Sequence, residues 1–390
     1  MRSRAIVMWR RWLVAALSCS AVAFACASEG VLESGPLDAP QVIAGEDAAG
    51  LDVQTNEAGR LDDAGVEAGN CSSDRVCLAA TPLDGRASVT SVWGSGPTDV
   101  WAVGTAGLIL HYDGMKWERA DLEAQDAASL FTLRGVWLER PDDVWIVDGL
   151  RLRHSNGWTG PTTTTWEIYA YGEGSAIPTS IRGKNGTVWM ARTPGLFGGS
   201  PLVKLGAWMD AGPGPAGDTL GAIPSLNLSA VAVGRDDEVW GVGSNRVVRA
   251  RRTPPVKDGG PWTWPGVGLD SLTTRQLFAL WVGESVVWLV GENGVIRRAP
   301  TSETPPLFDI VEAPSNADLY GVFGFGEDDV WAVGEAGTIL HWDGAALTKL
   351  TTPLDDLPER PRLFAVWGSS PNDIWFAGAG VMLHLERSLP

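Results

Sequence analysis

Asp329-Val330-Trp331-Ala332-Val333-Gly334, followed by Thr338-Ile339-Leu340-His341-Trp342-Asp343-Gly344, decides the fold, because the chain contains this pattern more than once. A near-duplicate runs Asp99-Val100-Trp101-Ala102-Val103-Gly104 and Leu108-Ile109-Leu110-His111-Tyr112-Asp113-Gly114. A third copy reads Val366-Trp367-Gly368-Ser369, Asp373-Ile374-Trp375 and Leu383-His384. Weaker copies centre on Asp143-Val144-Trp145, Thr187-Val188-Trp189, Glu238-Val239-Trp240 and Val286-Val287-Trp288. Aligning one Trp per copy gives Trp101, Trp145, Trp189, Trp240, Trp288, Trp331 and Trp375, at spacings of 44, 44, 51, 48, 43 and 44 residues. A period of this size is one sheet of four short strands.

Within each unit the apolar runs are short, rich in Val, Ile and Trp, and lack the i, i+3, i+4 pattern of a helix. Asp113-Gly114, Asn156-Gly157, Asn293-Gly294 and Asp343-Gly344 suit tight turns with positive φ. The runs are apolar on both faces, as expected for sheets that pack against a neighbour on either side. The reading is an all-β chain, a seven-bladed β-propeller of four-stranded antiparallel blades, with the repeated Trp as inter-blade wedge. The last unit has three strands before the chain stops at Pro390, while Cys77–Asp84 copies the fourth-strand pattern of Leu347–Asp355. The N-terminal strand is therefore expected to complete the last blade and close the ring.

The first 25 residues read as an export signal. Arg2, Arg4, Arg10 and Arg11 form the basic region, and Trp12 to Ala25 is an apolar run shorter than the ~20 residues a membrane-spanning helix needs. Two readings follow: Ala23-Phe24-Ala25 as a cleavage site for secretion, or a small residue before Cys26 as a lipidation site. Residues 26–70 carry ten Asp and Glu against Arg60, a net −9, and read as an acidic flexible tether. Residues 71–390 are the propeller. Cys71 and Cys77 are expected to form a disulfide in an oxidising compartment. The whole chain has 390 residues, 20 Trp and a net charge of −17, which argues against a nucleic-acid partner.

The unit resembles the short BNR-type repeats of secreted propellers, including those of sialidase-like and photosystem-assembly proteins. Asp-Val-Trp-Ala-Val-Gly with Gly-x-Ile-Leu-His-x-Asp-Gly resembles repeats of exported myxobacterial proteins most closely. The resemblance covers residues 76–390 and implies the fold. It implies no single activity, since this fold hosts many. The order of residues in the sialidase Asp box is not found, so sialidase catalytic residues are not transferred.

His111, His154, His341 and His384 occupy one position in four repeats, so they read as structural and do not converge on a site. Asp142-Asp143, Asp236-Asp237 and Asp328-Asp329 read as turn residues. No metal or cofactor signature is visible. Departures from the repeat are more informative. Three residues after the marker Trp, five units have Gly, whereas Asp148 and Arg192 stand there in units two and three. The link between these units is aromatic, with Trp166, Tyr169 and Tyr171, and Arg134 approaches the same side. These six residues are the expected ligand-binding sector. The functional expectation is a non-enzymatic, monomeric propeller at the cell envelope, secreted or held on the outer membrane by a lipid on Cys26, binding a protein or glycan. The alternative is a polysaccharide-acting enzyme using carboxylates on one face.

Overall fold

The computed structural model describes residues 69–120, 131–149, 151–170, 176–193, 200–209, 212–213, 219–220, 227–235, 238–258, 260 and 262–386. The expected signal, the tether up to residue 68, Cys26 and Tyr171 lie outside the described residues. The propeller is built of seven antiparallel sheets. Their inner strands are Val89–Gly96, Gly135–Leu138, Pro178–Lys184, Ala230–Val233, Leu277–Val282, Leu319–Gly326 and Leu363–Ser370. Each packs beside the inner strand of the next blade, and the seventh packs beside the first, so the ring is closed.

Six sheets have four strands, five of them in simple sequential order and the seventh with a fourth strand from the N-terminal end of the propeller. The third shows three among the described residues, Pro178–Lys184, Thr187–Arg192 and Leu202–Leu205. The chain that follows turns away to the second blade. There Trp208 stacks on His154 and its indole N–H donates to Glu167. In the seventh sheet the fourth strand is Val76–Leu78, paired with Met382–Glu386 in the register Val76 to Leu385 and Leu78 to Leu383. Cys71 and Cys77 are disulfide-bonded at the entry to that strand. Asp74 also accepts hydrogen bonds from the Thr351 backbone N–H (2.7 Å) and hydroxyl (2.8 Å), tying this segment to blade six.

The core lies between blades rather than within one. All seven marker Trp are buried, and each core cluster mixes residues of consecutive blades. Trp288, Val290 and Ile296 of blade five, for example, meet Leu319, Val330, Ala332 and Leu340 of blade six. Most wedges are also met by an aromatic ring of the next blade. Trp158 and Trp166 sit 5.8 Å from Trp101, Trp208 sits 5.3 Å from Trp145, and Trp264 sits 4.7 Å from Trp189. Trp342 covers Trp288 at 5.6 Å, and Trp117 of blade one covers Trp375 of blade seven at 5.0 Å. Edge-to-face geometry dominates these pairs, which adds to the burial of apolar area.

The register places a basic residue of the third strand opposite every marker Trp: His111, His154, Lys204, Arg249, Arg298, His341 and His384. In blades one, two and six the Asp that opens the second strand joins both groups. Asp99 accepts from the Trp101 indole N–H at 3.0 Å and sits 2.9 Å from His111 Nε2. Asp143 and Asp329 repeat this with 2.7 and 2.9 Å. Blade seven keeps the Asp373 to His384 contact at 2.6 Å. In blade four the pair becomes Glu238 with Arg249, whose guanidinium lies 4.6 Å over the Trp240 ring. In blades four, six and seven this puts a guanidinium or imidazole against the indole face, whereas His111 and His154 meet their marker Trp edge-on at 62° and 68°.

Candidate functional site at the central channel

The inner strands begin with an irregular step in five blades. The register shifts between Val89 and Ser91, Pro178 and Ser180, Leu277 and Ala279, Leu319 and Gly321, and Leu363 and Ala365. Such a bulge re-aims the extra residue. Here the extra residues are Thr90, Thr179, Phe278, Tyr320 and Phe364, and all five line the central channel. Arg134 and Ser229 hold the matching places in blades two and four. The seven form the mouth of a channel of about 720 Å³, on the face that carries the blade-to-blade links. That volume lies within the range of small-molecule sites.

The mouth has two unlike halves. On one, hydroxyls are consumed by the backbone. Thr90 donates to Val103 O at 3.1 Å and also reaches Leu133 O of the next blade. Thr179 reaches Leu228 O (2.8 Å), and Ser229 lies within bonding distance of Val242 O and Leu277 O (3.0 and 3.1 Å). These bonds clamp neighbouring blades. On the other half aromatic rings replace the clamps. Phe278, Tyr320 and Phe364 form an arc over blades five to seven, with centroids 5.2 and 5.5 Å apart. Burial, followed by the Glu335 carboxylate, raises the Tyr320 phenol above its ordinary value, so it remains a neutral donor at neutral pH. Arg134 is exposed and has no carboxylate partner among the described residues.

Deeper in the channel an aromatic plug closes the inner strands together. Trp93 lies 5.9 Å from Phe323 and 6.5 Å from Trp367, and its indole N–H donates to Leu138 O at 3.2 Å. Arg182 lies 4.4 Å over the Trp93 ring. Its Nη1 donates to Ile181 O (2.7 Å) and Val136 O (3.3 Å). Burial lowers the Arg182 guanidinium to about 10, which still leaves it charged at neutral pH. Among the described residues the channel wall carries Arg134, Arg182 and Lys184 and no Asp or Glu, in a chain of net charge −17.

Of the six residues expected between units two and three, the five that lie among the described residues fall in different surroundings. Arg134 stands in the channel wall. Asp148 is fully buried and pairs with Arg151 and Arg153, each at 3.2 Å, which accounts for the loss of Gly at that position. Arg192 donates through Nε to Ser200 O at 2.9 Å. Trp166 packs on Trp101 at 87° between blades, and Tyr169 packs with the core shared by blades two and three. The five repeated Gly have their own reason. At Gly334 an added Cβ would stand 2.0 Å from Asp318 O, and Gly104, Gly243, Gly291 and Gly378 are as tight.

No protein-family model matches the chain, and no curated protein is similar to it in sequence. Solved structures are similar in fold. YCF48 bound to D1 peptide superposes with a TM-score of 0.59 at 14% identity, over 83% of this chain and 100% of that one. Streptogramin B lyase gives 0.55 at 13% identity, over 79% and 95%. The extracellular domain of a B. thetaiotaomicron protein described as a hybrid two-component system gives 0.54 at 13% identity, over 80% and 40%. A peptide binder, an enzyme and an extracellular domain share this architecture, so the fold is settled and the activity is left to the site. Among the described residues no helix is long and apolar enough to cross a membrane.

Proposed function

We propose that this chain is an exported, non-enzymatic binding propeller whose channel mouth receives a segment of a protein partner at the cell envelope. The observation that carries the reading is the arc of Phe278, Tyr320 and Phe364 set across the mouth from Arg134. Aromatic rings supply contact area at low entropic cost, and a free guanidinium orients a polar or anionic group. The four histidines are engaged with the Asp of their own blades, which leaves the mouth a recognition surface rather than a general-base site. A solved neighbour holds a peptide, and another is an extracellular domain, which supports the same direction. The signal at 1–25, a lipid on Cys26, the tether at 26–70 and the kinship with exported BNR-like propellers belong to this proposal.

Panning a displayed random-peptide library against the purified chain and its Tyr320→Ala/Phe364→Ala variant tests it. Enrichment of a peptide class by the wild type alone is the expected result. Equal enrichment by both proteins, or retention of glycans and no peptide, overturns it.

A further inference from the structure

We infer that the channel binds a carboxylate carried on an aromatic or apolar frame, with Arg182 as its charged anchor. This rests on the reading of the channel as the recognition site and adds its ligand chemistry. The anchor is an ion without a counter-ion. Arg182 is a half-buried guanidinium for which no carboxylate partner exists among the described residues. Only Nη1 is committed, to two backbone carbonyls. Nε and Nη2 have no protein acceptor among the described residues, and the side chain lines the open channel. A partly desolvated cation is costly unless paired, so an incoming anion recovers interaction that this chain does not itself provide. Lys184, at the far end of the same inner strand, is partly exposed and already paired with Glu284 at 3.3 Å.

The frame follows from what surrounds the anchor. Trp93, Trp281 and Phe323 line the same channel with Val92, Val231 and Val322, and the mouth adds Phe278, Tyr320 and Phe364. An inorganic anion leaves these walls uncovered, whereas a carboxylate one or two carbons from a ring meets both. Among the described residues the wall has no Asp or Glu, so an anion there escapes the repulsion it meets elsewhere on a chain of net charge −17. Two sources carry this chemistry: a small aryl carboxylate, and a peptide ending in a free carboxylate after an aromatic residue.

Saturation-transfer NMR on the full chain separates them. Phenylacetate is titrated beside phenylacetamide, phenethylamine and acetate, and Gly-Gly-Phe beside its C-terminal amide. Phenylacetate is expected to bind, with each control at least about tenfold weaker, as loss of a charge-assisted bond or of the ring requires. Arg182→Met is expected to weaken phenylacetate by about tenfold or more, and Arg182→Lys by less. Ala232 holds the register position of Arg182 in blade four, opposite its marker Trp, and lines the channel. Ala232→Glu therefore places an anion in the channel without touching the anchor, and it is expected to abolish binding even where Arg182→Met does not fold. Tighter binding of Gly-Gly-Phe than of phenylacetate assigns the peptide source, and the reverse assigns the small molecule. Phenylacetate binding unchanged by both variants, equal binding of the amide, or acetate competing as well as phenylacetate overturns the inference. Selective peptide enrichment that survives such a result would remove the anchor alone and leave the mouth as a binding surface.

Discussion

Trp208 of blade three lies flat on His154 of blade two, with ring centroids 4.9 Å apart and planes 14° apart. Trp158 of blade two lies on His111 of blade one in the same way, at 4.6 Å and 19°. Each imidazole is held at its Nε2 edge by its own blade's Asp and packs edge-on against that blade's marker Trp, so the next blade's indole covers its face across the blade boundary. Trp208→Ala is expected to destabilise the fold by about 1–3 kcal/mol, because the ring is half-buried. Trp331→Ala, at a fully buried wedge, should cost about 3–5 kcal/mol. Urea unfolding of the two variants measures the difference, and equal losses would refute the layered role.

Removing the acceptor rather than the ring has its own signature. Asp329→Ala strands the buried Trp331 indole N–H and the His341 ring, both of which now meet Asp329 Oδ1. The expected loss is about 1–3 kcal/mol, the desolvation penalty of an unmet buried donor. In the double variant Asp329→Ala/Trp331→Phe the two losses should be less than additive, since the indole donor is then gone and only the partly exposed His341 ring keeps an unmet group.

Acid should loosen blades two and seven through the same contacts. Burial alone raises Asp143, but hydrogen bonds from His154 and Trp145 and the charge of His154 outweigh it, and the net position is below an ordinary carboxylate. Asp373 behaves alike through His384 and Ser369. A carboxylate depressed in the folded state contributes stability that is present above its unfolded value, about 3.9, and is lost as pH falls through the folded value. The urea midpoint should therefore drop below about pH 4, and Asp143→Asn should flatten that dependence.

The repeated glycine is a test of backbone crowding. Gly334→Ala forces a Cβ against Asp318 O at 2.0 Å and should destabilise by about 1–3 kcal/mol. Gly326, eight residues earlier, has nothing within 4 Å of a built Cβ. Gly326→Ala should change stability by less than about 0.5 kcal/mol. Thermal unfolding of the pair decides it.

Reduction of Cys71–Cys77 should lower stability by about 2 kcal/mol on the loop-entropy argument, because the bridge spans a separation of only 6 residues. Asp74→Ala should add to the effect, since it frees the Thr351 N–H and hydroxyl of blade six. Unfolding with and without reductant, in both backgrounds, measures the coupling.

The wedge Trp were legible because one residue type recurs at a regular interval. Their cross-strand partners were less so: His, Lys and Arg share a register position but no chemistry that a repeat search weighs, and only the pairing of Trp240 with Arg249 or Trp189 with Lys204 reveals the equivalence. Asp148 drew attention as a departure from Gly. Its explanation, Arg151 and Arg153 three and five residues on, was present in the sequence as a charge pattern. The channel was the least legible part. Thr90, Arg134, Phe278 and Tyr320 look unrelated until bulges at the strand starts turn them to one mouth, and Arg182 differs from Trp93 and Trp281 at the same register position without any local motif to mark it.

The pairing of Val76–Leu78 with Met382–Glu386 has a consequence for synthesis. The two halves of the seventh blade emerge from the ribosome some three hundred residues apart in time. Until the later half arrives, six blades hold an open arc whose terminal faces and channel side chains are exposed to solvent. A nascent or truncated chain therefore presents sticky surfaces that the finished ring hides, and the channel wall is complete only once the inner strand of the seventh blade, with Phe364, has joined the ring.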